Sequence, residues 1–210
     1  MSRRAVFLDR DGVLNRAVVR NGRPYPPAGL GELEILPGVA DALTRLKGAG
    51  FRLVVVSNQP DVARGTTPRA VVEEMNQYLA ERLPFDESRM CFHDAEDDCP
   101  CRKPRPGMLL AAAREAGIDL SASFMVGDRW RDMEAGKNAG CKTLFIDYNY
   151  DERQPSAFDH RVTSLVEAAE VILTSCGGDA ISDPVRAAVT PGGAVSAPDV
   201  KTNDRQGKTS

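Results

Sequence analysis

The sequence predicts a three-layer α/β/α fold with a mainly parallel sheet. Strand-forming apolar runs alternate with segments of helical periodicity along most of the chain, a pattern typical of a parallel sheet covered by helices on both faces. Two of these runs, residues 5–8 and 51–56, are almost continuously apolar, as expected for buried parallel strands. No large insertion interrupts the alternation, so no large cap domain is expected.

The composition is that of one folded domain with an appendage. The chain has 210 residues, of which 42% are hydrophobic and 27% charged, enough for a substantial core. We expect a domain over residues 1–174, followed by a disordered tail over residues 175–210, where Gly, Pro, Ser, Thr, Asp and Lys replace the periodic pattern.

Charge and hydropathy exclude some partners. A net charge of −3 gives no basic surface for nucleic acid. The apolar run behind the basic start is too short for a signal peptide, and no other run could span a bilayer, so neither a nucleic-acid nor a membrane partner is expected. A cytoplasmic monomer is the favoured expectation.

The first strand carries the main chemical signal. The run at residues 5–8 ends in Asp9 and Asp11, and Gly12 allows a sharp turn. Because alternate residues of an extended chain point the same way, the two carboxylates lie on one side, at the sheet edge where parallel strands deliver ligand-binding groups. Two such charges need a cation or a proton between them. An exposed Asp-Arg-Asp-Gly turn would explain the pair equally well.

The remaining elements have local signals. Residues 15–36 are rich in Gly and Pro and are predicted to form a loop that can lean over the site. Helices are predicted where apolar residues recur at helical spacing. The predicted helices cover residues 37–48, 67–83, 106–116, a segment beginning at Asp132, and the end of 162–173; further strands cover 123–126 and 142–147.

Four soft metal ligands are concentrated in a loop over residues 91–101. Three of the five cysteines lie there, which favours metal binding in a reducing compartment over a disulfide framework. A closed tetrahedral shell of thiolates and an imidazole is typical of structural zinc, which would order an otherwise acidic segment at 94–98. Reduced surface thiols are the alternative. The four ligands are Cys91, His93, Cys99 and Cys101.

Three segments resemble one protein family. They are Phe-Leu-Asp-Arg-Asp-Gly-Val-Leu-Asn at 7–15, Cys-Pro-Cys-Arg-Lys-Pro-Arg-Pro-Gly-Met at 99–108, and Gly-Asp-Arg-Trp-Arg-Asp at 127–132. They are similar to motifs of the haloacid dehalogenase (HAD) superfamily, in its uncapped, zinc-containing branch of phosphatases that act on heptose bisphosphate and histidinol phosphate. The resemblance implies a Rossmann-like sheet and a magnesium-dependent phosphomonoesterase.

The resemblance also implies catalytic roles. Asp9 corresponds to the nucleophile that forms an aspartyl-phosphate, and Asp11 to the general acid and base. Ser57 and Lys103 correspond to groups that hold phosphoryl oxygens, although Ser57 could be a polar strand terminus and Lys103 part of an exposed turn. Magnesium would bind Asp9, the backbone carbonyl of Asp11, and Asp128, because it prefers hard oxygen ligands.

Other residues correspond to substrate contacts. Asn58 and Gln59 match an Asn-Gln pair of sugar-phosphate members, but Pro60-Asp61 replaces the usual Ser-Gly that follows. Arg102 and Arg129 match cations near the substrate, and an exposed arginine remains the alternative for Arg129.

Two points stay open in this sequence. Asp132 either supports the metal ligands without touching the ion or caps the following helix. The resemblance implies a small phosphorylated metabolite as the substrate. Within the branch, the Arg-Lys-Pro segment is most similar to that of the heptose 1,7-bisphosphate phosphatases, whereas the five-residue gap in the zinc loop is closer to histidinol-phosphate members. A non-catalytic phosphate-binding protein is expected to have lost an essential acid, and none is missing.

Overall fold

The apolar runs form the centre of a sheet, and the periodic segments cover it. The computed structural model describes residues 3–176. The strands of this part are β1 (Arg4–Leu8), β2 (Val18–Arg20), β3 (Arg23–Tyr25), β4 (Phe51–Asn58), β5 (Glu87–Cys91), β6 (Phe124–Gly127), β7 (Lys142–Ile146) and β8 (His160–Val162). Its α-helices are α1 (Val39–Gly48), α2 (Arg69–Ala80), α3 (Gly107–Ala116), α4 (Trp130–Ala139) and α5 (Leu165–Cys176).

Six of these strands form one sheet in the order β5-β4-β1-β6-β7-β8, and each neighbouring pair is parallel. Leu8, at the end of β1, lies level with Val55 of β4 and Val126 of β6. The strand order reverses beside β1, because the chain builds outward from it in both directions. Such a switch point opens a crevice at the carboxyl ends of the strands.

The predicted three layers are confirmed. On β1, Val6 and Leu8 pack into a core that includes side chains of α1 and α5. Ala5 and Phe7 face the opposite side, in a second core with side chains of α3 and α4. A strand with apolar residues on both faces must be covered on both, and this explains why the run at 5–8 lacks polar alternation.

The hairpin, a short 3-10 turn and strand β5 are absent from the sequence prediction. The predicted loop over residues 15–36 contains an antiparallel hairpin of β2 and β3 and a short 3-10 turn at Leu30–Glu32. Strand β5 was missed because its sequence, Glu-Ser-Arg-Met-Cys, has no apolar run. It lies at the edge of the sheet, where one side pairs with β4 and a half-exposed strand can carry charges.

The ends of two helices also differ from the prediction. Helix α4 begins at Trp130, not at Asp132, which lies in its first turn. Helix α5 extends to Cys176, so the predicted domain boundary at 174 falls within its last turn, and residues 177–210 of the predicted tail lie outside the described residues. Residues 3–176 contain no large cap domain, and none of the helices described there is long and apolar enough to cross a membrane.

Candidate active site

The switch point brings polar groups from three adjacent strands together. Asp9 follows β1, Ser57 lies near the end of β4, and Asp128 follows β6. All three are buried, with exposed fractions of 7%, 1% and 2%. They line one pocket, so the predicted convergence of strand ends is observed.

Three carboxylates form the base of this pocket. Asp9, Asp128 and Asp132 each place an oxygen within 4.8 Å of the others. The Lys103 ammonium, 2% exposed, lies 3.0 Å from Asp9 Oδ1 and 2.6 Å from Asp132 Oδ1. One ammonium group therefore faces three carboxyl groups.

Burial shapes the pKa values of this cluster. Burial and the nearby Asp132 raise the pKa of Asp9 to about 6, against the opposing effect of Lys103. Burial and the charge of Asp9 raise the pKa of Asp128 well above its usual value. Burial lowers the pKa of Lys103, but Asp132 and Asp9 outweigh it and raise that pKa, which keeps the lysine charged.

Asp128 has the features expected of a metal ligand. Both of its carboxylate oxygens are buried, and neither accepts a hydrogen bond from the described residues. Gly12 lies directly against it: with φ of +84°, a Cβ on Gly12 would sit 2.0 Å from Asp128 Oδ2. Buried, unpartnered hard oxygens beside a second carboxylate match the donors that Mg²⁺ prefers. The predicted magnesium ligands Asp9 and Asp128 therefore fit the ion.

Asp132 makes one contact within its helix and one in the pocket. Its Oδ2 accepts a hydrogen bond from the Arg129 backbone N–H at 3.0 Å, closing the first turn of α4. Its Oδ1 pairs with Lys103. The close approach requires Gly127, because a Cβ there would lie 2.3 Å from the Asp132 Cβ.

Asp11 is held by an arginine that the sequence prediction did not assign. Arg10 is fully buried, and its guanidinium donates to both carboxylate oxygens of Asp11, at 3.0–3.2 Å. Its Nη1 also donates to Asn76 Oδ1 on α2, at 3.0 Å. The Asn15 amide donates to Asp11 Oδ1 at 2.9 Å. A buried charge requires such partners, and here they fix the carboxylate of the predicted acid and base.

Asn58 and Gln59, predicted to bind substrate, contact the protein. The Asn58 side chain holds the Lys103 backbone on both sides, accepting from its N–H at 3.0 Å and donating to its carbonyl at 2.9 Å. The Gln59 amide donates to Asp11 Oδ2 at 2.9 Å and to Ser57 Oγ at 3.0 Å. Asn58 lines the pocket as well, whereas Gln59 is 2% exposed.

The pocket mouth is rich in arginine. Arg129 lines it, but its guanidinium pairs at two nitrogens with the Glu152 carboxylate. Arg102 lines it too and donates from Nη1 to the His93 carbonyl at 3.1 Å. The sequence prediction missed Arg131, whose pKa is lowered by burial and by the charges of Arg129 and Arg102. Its signal was the Arg-Trp-Arg run, since Arg131 stacks on Trp130 at 4.7 Å.

The hairpin forms one wall of the same pocket. Pro24, Tyr25 and Pro26, together with Ala17, line it beside the arginines. The expectation that residues 15–36 lean over the site is therefore met, although by a hairpin.

The four predicted zinc ligands converge beside the pocket. Cys101 Sγ lies 3.3 Å from Cys91 Sγ, 3.4 Å from Cys99 Sγ and 3.3 Å from His93 Nδ1, and Cys91 Sγ lies 3.6–3.7 Å from His93 Nδ1 and Cys99 Sγ. Four ligands at ordinary zinc distances would be separated by about 3.5–3.8 Å at tetrahedral geometry. The cluster is thus compatible with zinc, and Cys101 directly precedes Arg102 and Lys103.

Comparisons with known proteins agree with this geometry. The sequence matches the model of the haloacid dehalogenase-like hydrolases over residues 17–140. The D-glycero-beta-D-manno-heptose-1,7-bisphosphate 7-phosphatase of Pasteurella multocida (strain Pm70) is 40% identical over 155 residues, covering 69% of this chain and 81% of that protein. The protein of the same name from Escherichia coli (strain K12) is 40% identical over 154 residues, covering 67% and 78%.

A solved structure supports the same assignment. The D,D-heptose 1.7-bisphosphate phosphatase from B. bronchiseptica, complexed with magnesium and phosphate, aligns with a TM-score of 0.69 at 31% identity, over 82% of this chain and 99% of that one. Both the sequence and the sheet therefore lead to one conclusion: the chain belongs to the haloacid dehalogenase-like hydrolase family.

Proposed function

We propose that the protein is a magnesium-dependent phosphomonoesterase that removes the 7-phosphate of D-glycero-D-manno-heptose 1,7-bisphosphate through an aspartyl-phosphate intermediate. The observation that carries the proposal is the buried group of Asp9, Asp128 and Lys103 at the switch point, next to Asp11. Relatives of that name at 40% identity support the substrate.

Asp9 is the nucleophile in this proposal. Its Oδ1 accepts from the Arg10 backbone N–H at 2.7 Å and faces Lys103 at 3.0 Å, which fixes the carboxylate plane. Its other oxygen attacks phosphorus, the bond to the sugar oxygen breaks, and a proton from Asp11 passes to that oxygen. Ser57 and Lys103 hold phosphoryl oxygens. A magnesium ion held by Asp9, the Asp11 carbonyl and Asp128 would stabilise the negative charge on the phosphoryl group.

The second step restores the enzyme. Water attacks the phosphorus of the aspartyl-phosphate, the bond to Asp9 breaks, and the proton of that water passes to Asp11. The donors around Asp11, from Arg10, Asn15 and Gln59, would aim its carboxylate for this transfer.

The arginines at the mouth support a substrate with a second phosphate. Arg102 and Arg131 line the pocket, with Lys103 at its base, so a bisphosphate could place one phosphate inside and the other at the rim. Histidinol phosphate carries an ammonium group, which these guanidinium groups would repel. The charge of the rim therefore favours the heptose bisphosphate over the alternative.

The proposal also includes a structural zinc ion and a cellular compartment. Zinc at Cys91, His93, Cys99 and Cys101 would order the segment that carries Lys103. Three thiolate ligands must stay reduced, which supports a cytoplasmic place of action and a role in carbohydrate metabolism.

A substrate panel tests the proposal. Purified protein is given heptose 1,7-bisphosphate, heptose 7-phosphate and histidinol phosphate, each with Mg²⁺ and with EDTA. We expect Mg²⁺-dependent phosphate release with the highest kcat/KM for the bisphosphate. A preference for histidinol phosphate would contradict the proposed substrate, and full turnover by Asp9→Asn would contradict Asp9 as the nucleophile.

A further inference from the structure

The loop between β7 and β8 contacts the candidate active site through two tyrosines that no motif covers. The Tyr148 hydroxyl donates a hydrogen bond to the Gly12 carbonyl at 3.1 Å. The ring of Tyr150 packs 5.5 Å from that of Tyr148, and its phenol lies near enough to Asp128 to sense the charge of that carboxylate. The two residues thus reach both halves of the site, the turn after Asp9 and the acid after β6.

Gly12 lies between Tyr148 and Asp128. On one side its Cα is so close to Asp128 that a Cβ would lie 2.0 Å from Oδ2. On the other, its carbonyl is held by Tyr148. Its N–H donates to the Asn15 carbonyl at 2.7 Å and closes the turn that carries Asp11. Any shift of Gly12 would therefore change the distance between the Asp9–Asp11 turn and Asp128.

Asp128 depends on its surroundings for orientation. Neither of its oxygens accepts a hydrogen bond of ordinary geometry within residues 3–176. Its carboxylate lies directly against Gly12, with Tyr150 nearby. Groups that orient a metal ligand without touching the metal commonly set the affinity of a site.

The tyrosines are themselves held firmly. Their rings lie 5.5 Å apart, and Asn149 between them adopts φ of +55°, a conformation that asparagine tolerates. The Asn149 N–H donates to Asp147 Oδ1 at 2.8 Å. Beyond Tyr150, the Asp151 N–H donates to the Gly22 carbonyl of the hairpin at 2.8 Å, and Glu152 pairs with Arg129. The loop is fixed at both ends, so it can impose a position on what it touches.

We propose that Tyr148 and Tyr150 are positioning residues that fix the Asp9–Asp11 turn relative to Asp128, and so set the affinity for the divalent cation and the alignment of Asp9 for attack. The inference rests on the proposed magnesium-dependent function. It adds two side chains that act on Gly12 and Asp128 and touch no reacting atom.

The test uses full-length Tyr148→Phe and Tyr150→Phe, with Tyr78→Phe on α2 as the matched control. Mg²⁺ affinity is measured by calorimetry without substrate, and kcat and KM are measured with 4-nitrophenyl phosphate at saturating Mg²⁺. We expect each site variant to bind Mg²⁺ about 3- to 10-fold more weakly, the size of one hydrogen bond, and to lose kcat more than KM. Tyr148 is 39% exposed, so folding should be preserved.

The results distinguish a failure of the positioning role from a failure of the proposed phosphatase function. If the unaltered protein binds no Mg²⁺ and releases no phosphate, the proposed function fails. If it does both, but Tyr148→Phe and Tyr150→Phe match Tyr78→Phe in Mg²⁺ affinity and kcat, the positioning role is refuted. It is equally refuted if the variants lose only thermal stability in EDTA.

Discussion

Replacing Asp128 by Asn should stabilise the metal-free protein while removing its response to magnesium. In the structure the Asp128 carboxylate is 2% exposed, its oxygens lack hydrogen-bond partners among the described residues, and Asp9 and Asp132 lie nearby. An uncompensated buried polar group costs about 1–3 kcal/mol, and a charged one more. The neutral isostere removes that charge and its repulsion of Asp9.

The size of the gain follows from the cluster. Asp9, which is buried in the same cluster, sets the scale: the rise in its pKa from 3.8 to about 6, caused mainly by burial, corresponds to roughly 3 kcal/mol of lost stability at neutral pH. We therefore expect Asp128→Asn to raise the free energy of unfolding in EDTA at pH 7.5 by about 2–3 kcal/mol, which is on the order of 5 °C in Tm.

The pH dependence has a definite sign. The pKa of Asp128 is raised in the folded state, so the carboxyl costs no stability below its unfolded value of 3.8, and this cost grows as the pH rises toward the folded pKa. Lowering the pH from 7.5 to 5 should thus narrow the Tm difference between Asp128→Asn and the unaltered protein.

The assay is thermal unfolding in EDTA and in Mg²⁺, at pH 7.5 and 5. Only the unaltered protein should gain Tm with Mg²⁺, because binding stabilises the state that binds. Asp41→Asn, an exposed acid in the first turn of α1, is the control for the charge change. The reasoning is refuted if Asp128→Asn is less stable than the unaltered protein in EDTA at pH 7.5, or if it keeps the full Mg²⁺ shift.

Further predictions follow from other residues. Gly12→Ala should abolish Mg²⁺-dependent turnover, because its Cβ would overlap Asp128 Oδ2; normal turnover would disprove the close approach. Cys99→Ser should lower bound zinc, measured by mass spectrometry, by at least half, whereas Cys141→Ser outside the cluster should keep it; equal zinc in both would argue against the site. Arg131→Gln should raise KM for the bisphosphate about 10-fold, the effect of losing one charged contact, but should leave KM for 4-nitrophenyl phosphate unchanged. The exposed Arg114→Gln is the control. An equal rise in KM for both substrates would count against a second-phosphate contact.

The strand ends could be predicted from sequence because their signal is local. Each of β1, β4 and β6 is an apolar run that stops at a polar residue, and a parallel sheet places such ends at one edge. Strand β5 has no such run. Its position at the edge of the sheet follows from pairing with β4, and its own residues carry no signal for it.

The partners of individual side chains could not be predicted in the same way. Asn58 holds the backbone of a residue 45 positions away, and Glu152 neutralises Arg129 across 23 positions. Such contacts depend on how loops meet at the sheet edge, which local patterns do not encode. For this reason the sequence predicts Arg129 as a cation near the substrate or an exposed arginine, without its partner Glu152, and it gives no role to Arg131, which belongs to no motif.

The predicted zinc ligands and Lys103 are linked along the chain. Placing an ammonium group at 2% exposure among three acids requires the chain to approach along a fixed path, because a mobile lysine would remain hydrated. Cys101, one of the four predicted zinc ligands, lies two residues before Lys103. On the other side, Asn58 of β4 holds the Lys103 backbone. Since the segment between them is short, ordering the cysteines restricts where Lys103 can enter. Zinc would then influence turnover through the position of this lysine while staying outside the reaction.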